Sequence, residues 1–79
     1  MTAQQLQANR LHVGRQITAA REAVGMTQVQ LSESTGIYQS NINRIEKGKY
    51  NVGLDILSKI SAALGCEIVI PSPAHFFEP

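Results

Sequence analysis

The run Met26–Lys49, MTQVQLSESTGIYQSNINRIEKGK, constrains this chain more than any other part of it. It carries start and stop signals for two short helices with only a glycine turn between them. Thr27 stands at an N-cap position, and Gln30, three residues on, completes a capping box. Met26 before the cap and Leu31 after the first turn are spaced to close a hydrophobic staple. Gly36 supplies a left-handed residue that ends the helix near Thr35. A second helix is predicted from about Gln39 to Lys47, with Ile42 and Ile45 on one face and Gly48 as its stop. Ile37 lies in the turn, placed to pin both helices from inside. The pair is thereby held at a steep angle.

The flanks supply the rest of a small helical body. Thr2 and Gln5 repeat the capping-box spacing, so helix begins near Ala3. Leu6, Val13, Ile17, Ala20 and Val24 then share one face at helical spacing. Gly14 interrupts this face at a cost of about 1 kcal/mol relative to alanine. The spacing predicts one helix to about Val24, its part before Asn9 frayed or separate, with Gly25 as the stop. Lys49–Gly53 is a loop, and Asn51 or Gly53 caps the next helix, from about Leu54 to Leu64, which Gly65 ends. Its core stripe is Leu54, Leu57, Ile60 or Ser61, and Leu64. Ile56, Ile60 and Ala63 widen the apolar surface beyond what one small bundle needs, so part of it is expected to face another subunit.

At Cys66-Glu67-Ile68-Val69-Ile70 the period changes. This β-branched run between Gly65 and Pro71 reads as a strand. Nothing else in the chain does, and a strand cannot satisfy its backbone alone. The economical solution is pairing with the same segment of a second molecule across a two-fold axis. The alternative is an extended tail along the bundle. Pro71 and Pro73 break the strand, and Phe76 and Phe77 in the final residues either fold back on the core or dock on a partner. The chain divides into a helical part, 1–65, and a strand and tail, 66–79.

With 79 residues there is one domain. No apolar run approaches the ~20 residues that cross a bilayer, and MTAQQLQANR is too polar for a secretory signal. One cysteine, Cys66, excludes an internal disulfide. No membrane association and a cytoplasmic location are expected. An enzyme is not. His12 and His75 lie at opposite ends, and no carboxylate pair, glycine-rich phosphate loop or metal-ligand spacing occurs, so neither cofactor nor metal is expected. The net charge of +1 matters less than its placement. Residues 36–50 carry Arg44, Lys47 and Lys49 against Glu46 alone, whereas residues 51–79 carry Lys59 against Asp55, Glu67 and Glu78.

The positions of Gln28, Leu31, Ser32, Gly36, Ile37, Ile42 and Ile45 resemble the helix-turn-helix of phage repressor and Cro-like regulators. Arg21–Thr27 and Leu54–Gly65 look like that family's first and fourth helices, so the resemblance covers roughly Val13 to Gly65. Three residues depart from it. Ser32 stands where the family usually has alanine, Thr35 where it has an aliphatic residue, and Tyr38 where a small hydroxyl residue caps the recognition helix. The resemblance implies a mostly α, four- to five-helix lambda-repressor-like DNA-binding domain, here with a short C-terminal β-strand pairing across a homodimer. It also implies that Arg21 pairs with Glu46 and ties the first helix to the third.

A helix of this size enters the major groove, where base edges display a readable donor and acceptor pattern. Tyr38, Gln39, Ser40, Asn43 and Arg44 line its exposed N-terminal face. By resemblance Gln39, Ser40, Asn43 and Arg44 meet bases, and Gln28, beside the cap Thr27, fixes a phosphate at a helix N-terminus. Asn41, Lys47 and Lys49 complete the DNA-facing set as phosphate contacts. One such helix reads only a few base pairs, so a homodimer on a pseudo-palindromic operator is expected, with Ile56, Cys66, Ile68, Val69 and Ile70 at its interface. The expected function is sequence-specific binding of double-stranded DNA as a transcriptional regulator, a repressor. A helix followed directly by a strand in SKISAALGCEIVIPS also resembles HipB-type antitoxins, which would add a kinase-like toxin as partner. A restriction-modification controller, and a pure protein-interaction module on the same scaffold, remain as alternatives.

Overall fold

A computed structural model describes residues 1–71 of the protein. Four helices follow one another: α1 (Ala3–Ala23), α2 (Gln28–Thr35), α3 (Gln39–Glu46) and α4 (Leu54–Leu64). α1 is a single unbroken helix of 21 residues. Thr2 and Thr27 cap α1 and α2 with reciprocal capping boxes, each threonine hydroxyl accepting from the backbone N–H of Gln5 or Gln30 at 3.1 Å. Gly36, at φ 75°, closes α2 in the left-handed region. Tyr38 stands at the start of α3 without a side-chain cap, and Gly53 precedes α4 in the same way.

The core is Val13 and Ile17 from α1, Leu31 from α2, Ile37 from the turn, Ile42 and Ile45 from α3, and Ile60 and Leu64 from α4. Ile17, Leu31, Ile42, Ile45 and Ile60 are fully enclosed. Each helix thus surrenders one apolar stripe to a shared centre, and α3 is gripped between α1 and α2. The two hydroxyl residues that replace family hydrophobes stitch the turn. Ser32 Oγ donates to the Ile37 carbonyl at 2.5 Å. Thr35 Oγ1 donates to the Leu31 carbonyl at 2.7 Å and accepts from the Ile37 N–H at 3.2 Å.

Several expectations need correction. No strand forms at Cys66–Ile70, and there is none among the described residues. The segment runs extended beside α1, where the Gln16 side-chain amide meets the Val69 backbone from both sides. Val69 N–H donates to Gln16 Oε1 at 2.8 Å, and Gln16 Nε2 donates to the Val69 carbonyl. Ser61 Oγ donates to the Cys66 carbonyl. A side chain therefore supplies what a neighbouring strand would have supplied. Leu54, assigned to the core stripe of α4, is 78% exposed because as the first helical residue it precedes the packed turns. Leu6 and Val24 at the two ends of α1 are exposed as well. Phe76 and Phe77 lie outside the described residues. No described helix is long and apolar enough to cross a membrane.

Candidate nucleic-acid interface

α3 is placed by what lies behind it. Gly14 of α1 packs directly on its C-terminal end, where a Cβ would fall 2.5 Å from the carbonyl oxygens of both Ile45 and Glu46. The glycine that weakens α1 is thus the reason α1 and α3 approach so closely. One turn-pair earlier, Gln7 Nε2 donates to the Gly48 carbonyl at 3.1 Å, and Gln7 Oε1 accepts from Arg10 at 2.8 Å.

Glu46, the last residue of α3, is the one charged side chain buried among the described residues. Arg21 of α1 grips it, Nε to Oε2 at 2.8 Å and Nη2 to Oε1 at 3.0 Å, and also donates to the Met26 carbonyl at 2.9 Å. Thr18 Oγ1 and Gln28 Nε2 complete the shell around Oε1 at 2.9 and 3.1 Å. Burial pushes the Glu46 carboxyl toward its neutral form. The hydrogen bonds from Arg21, Gln28 and Thr18 outweigh that and hold its pKa below the ordinary value. The same hydrogen bond raises the Arg21 guanidinium pKa. One carboxylate thereby joins α1, α2 and α3.

Gln28 also lines, with Gln39, Ser40, Asn43 and Arg44, one open concavity of about 460 Å³ beside this cluster. Gln39, Ser40 and Arg44 are exposed, whereas Gln28 and Asn43 are half-buried and joined by a hydrogen bond from Asn43 Nδ2 to Gln28 Oε1 at 3.4 Å. Thr27 is occupied by capping, Tyr38 is exposed at the rim, and Asn41 is half-buried outside the concavity. Lys47 and Lys49 are exposed just past the end of α3. Tyr50, in the loop between α3 and α4, lies under Arg44, whose guanidinium carbon sits 5.2 Å from the ring centroid. The signal was an aromatic residue close after a helix-terminal arginine. Of the residues assigned to a subunit interface, Ile56, Cys66 and Ile68 pack partly on the core, while Val69 and Ile70 are each 57% exposed.

The face offers amides, a hydroxyl and a guanidinium on a rigid short helix, flanked by cations. Such groups can hydrogen-bond base edges and pair with phosphates. The face defines a DNA-binding helix-turn-helix domain.

Residues 17–70 match the helix-turn-helix family model, and the chain belongs to that family, the Cro and phage-repressor type of DNA-binding transcriptional regulator. Among curated proteins it is 44% identical over 59 residues to the uncharacterised HTH-type transcriptional regulator y4dL of Sinorhizobium fredii, covering 75% of this chain and 30% of that protein. It is 38% identical over 56 residues to the immunity repressor protein of Bacillus phage phi105, covering 71% of this chain and 39% of that one. The chain thus spans well under half the length of these relatives. Among solved structures, the restriction-modification controller protein C.AhdI of Aeromonas hydrophila superposes with a TM-score of 0.73 at 30% identity, covering 76% of this chain and 91% of that one. A hypothetical transcription factor, NHTF, from Neisseria shares the fold, with a TM-score of 0.75 at 21% identity over 91% of this chain and 84% of that one.

Proposed function

We propose that the chain reads a specific double-stranded DNA sequence as a homodimer on a pseudo-palindromic operator and acts there as a repressor. The observation that carries this reading is the convergence of Gln39, Ser40, Asn43 and Arg44 with Gln28 on one concave face. Gln and Asn amides suit adenine and arginine suits guanine, each contributing about 1–3 kcal/mol of discrimination. Lys47, Lys49 and Asn41 contact phosphates, and Gln28 reaches one beside the free N–H groups of α2.

Eight residues of α3 span only about 12 Å, so one copy reads too few bases for useful selectivity. Two copies are needed. Their contact is assigned to the apolar surface of α4 and the segment after it, Ile56, Cys66, Ile68, Val69 and Ile70, supported by the exposure of the last two. Repression is supported by the similarity to the phage immunity repressor. A second reading, the controller of a restriction-modification system, is favoured by C.AhdI, nearly the whole of which this chain covers. Both readings use the same reading face and differ in which promoter it occupies. The antitoxin reading loses its support, because it rested on a strand after α4 that does not form. A protein-interaction module would have no use for the polar set on α3.

Replacing Gln39 with alanine tests the assignment. Preference should relax at one base position of each half-site, with affinity for unrelated duplexes unchanged. An equal loss on every sequence would make Gln39 a phosphate contact and remove it from the reading set.

A further inference from the structure

The hydrogen bonds behind α3 have a direction as well as a length. Glu46 is ionised, and a carboxylate can only accept. Arg21 and Thr18 occupy its inner side, and Gln28 meets Oε1 at 3.1 Å. Gln28 must therefore turn its NH2 inward, since the opposite orientation would set its carbonyl oxygen against the carboxylate. Its own Oε1 is then left facing Asn43. Asn43 in turn must offer an N–H, which it does at 3.4 Å. What Asn43 then offers a base is its carbonyl oxygen at a set position, beside the second Nδ2 proton.

We infer that Glu46, acting through Gln28, fixes the direction of the Asn43 amide, so that α3 presents a set acceptor and Asn43 selects bases that display an exocyclic amino group in the major groove. This rests on the reading of α3 as the groove-entering helix. In the major groove, adenine and cytosine display an amino donor where thymine and guanine display a keto oxygen. A fixed Asn43 Oδ1 accepts from the first pair and faces another acceptor in the second. An asparagine free to rotate its amide by a half-turn would suit either. Glu46 and Gln28 are thus positioning residues for a choice made at Asn43, and a salt-bridged carboxylate reaches the base code without touching DNA.

The test is selection from randomised duplexes. At one position of each half-site the wild-type protein should prefer A or C over G or T by about tenfold, and Asn43→Ala should abolish that preference alone. Gln28→Met keeps the side-chain length but removes both partners of the relay. It should reduce the amino preference to about twofold or less while the other positions keep theirs. The double variant Gln28→Met/Asn43→Asp should restore it, because a carboxylate presents an acceptor whichever way it turns. A check independent of these variants is side-chain NMR of the free wild-type protein. One Asn43 Nδ2 proton should lie close to Gln28 and exchange more slowly than those of Asn41. An Asn43-dependent preference that survives Gln28→Met unchanged, or that favours G or T, would overturn the inference, as would equal exchange at the two asparagines. A loss of affinity in Gln28→Met that is uniform across sequences and leaves the amino preference intact would also overturn it, making Gln28 a phosphate contact only. If the wild-type protein enriched no sequence at all, the DNA-reading assignment itself would fail, which is a different result from any of these.

Discussion

A single methyl group added at position 14 would lie 2.5 Å from two backbone carbonyl oxygens of α3, and backbone cannot swing aside as a side chain can. Alanine at a helix interior ordinarily adds about 1 kcal/mol over glycine. Here the overlap forces α1 and α3 apart, and forced overpacking costs about 1–3 kcal/mol. Gly14→Ala should therefore lower the urea midpoint despite its better helix propensity, and a raised midpoint would show that the two helices are not in contact there. Glu46 makes a prediction in pH. Its folded-state pKa lies below the ordinary 4.5, so its stabilisation is complete above that value and is lost as pH falls through the depressed one. Unfolding followed between neutral pH and strongly acid solution should show that loss, and Glu46→Gln should flatten that part of the profile. A stability that rose on acidification in the wild-type protein would contradict the assignment. Arg21 adds no such dependence, since its raised pKa keeps it charged throughout this range.

At the scale of elements, much was legible because its causes are local. Capping boxes, a left-handed glycine and apolar spacing are written within a few residues of the helix they delimit, as Thr27, Gln30 and Gly36 show. What was not legible depends on partners distant in sequence. The β-branched run 66–70 announces extended backbone, but whether it pairs with a strand or with a side chain is decided by Gln16, 53 residues away from Val69 and indistinguishable in sequence from any surface glutamine. Gly14 read as a defect because its reason lies on α3. The ring of Tyr50 under Arg44 was not legible, because Tyr50 sits in a loop without periodicity. That Gln28, Gln39, Ser40, Asn43 and Arg44 fall on one surface was visible from their spacing; the bond between Gln28 and Asn43 was not. With a hydrogen bond contributing about 1 kcal/mol net, Gln16→Leu should speed amide exchange of Val69 about fivefold while exchange within α1 and α4 is unchanged. Undiminished protection would mean that the Val69 backbone has another partner.

For the whole molecule, the positive end formed by Arg44, Lys47 and Lys49 lies at and just beyond the reading helix, while the net charge is only +1. Affinity for arbitrary polyanions should be modest, and binding should weaken with salt in proportion to the phosphates engaged. If two copies bind one operator, Lys49→Ala removes one phosphate contact from each half-site, so the slope of log affinity against log salt should fall by about 2 with base preferences untouched. A slope change of about 1 would point to a single copy on the DNA. Dimerisation and selectivity are linked through geometry: a short helix gains selectivity only when a twin is held one helical turn away along the duplex. The most direct measurement of the central claim is therefore enrichment from a fully randomised duplex pool by the wild-type protein. The expected result is a two-fold symmetric consensus whose half-site centres lie about 10 base pairs apart. Recovery of the pool with no enriched sequence would contradict it.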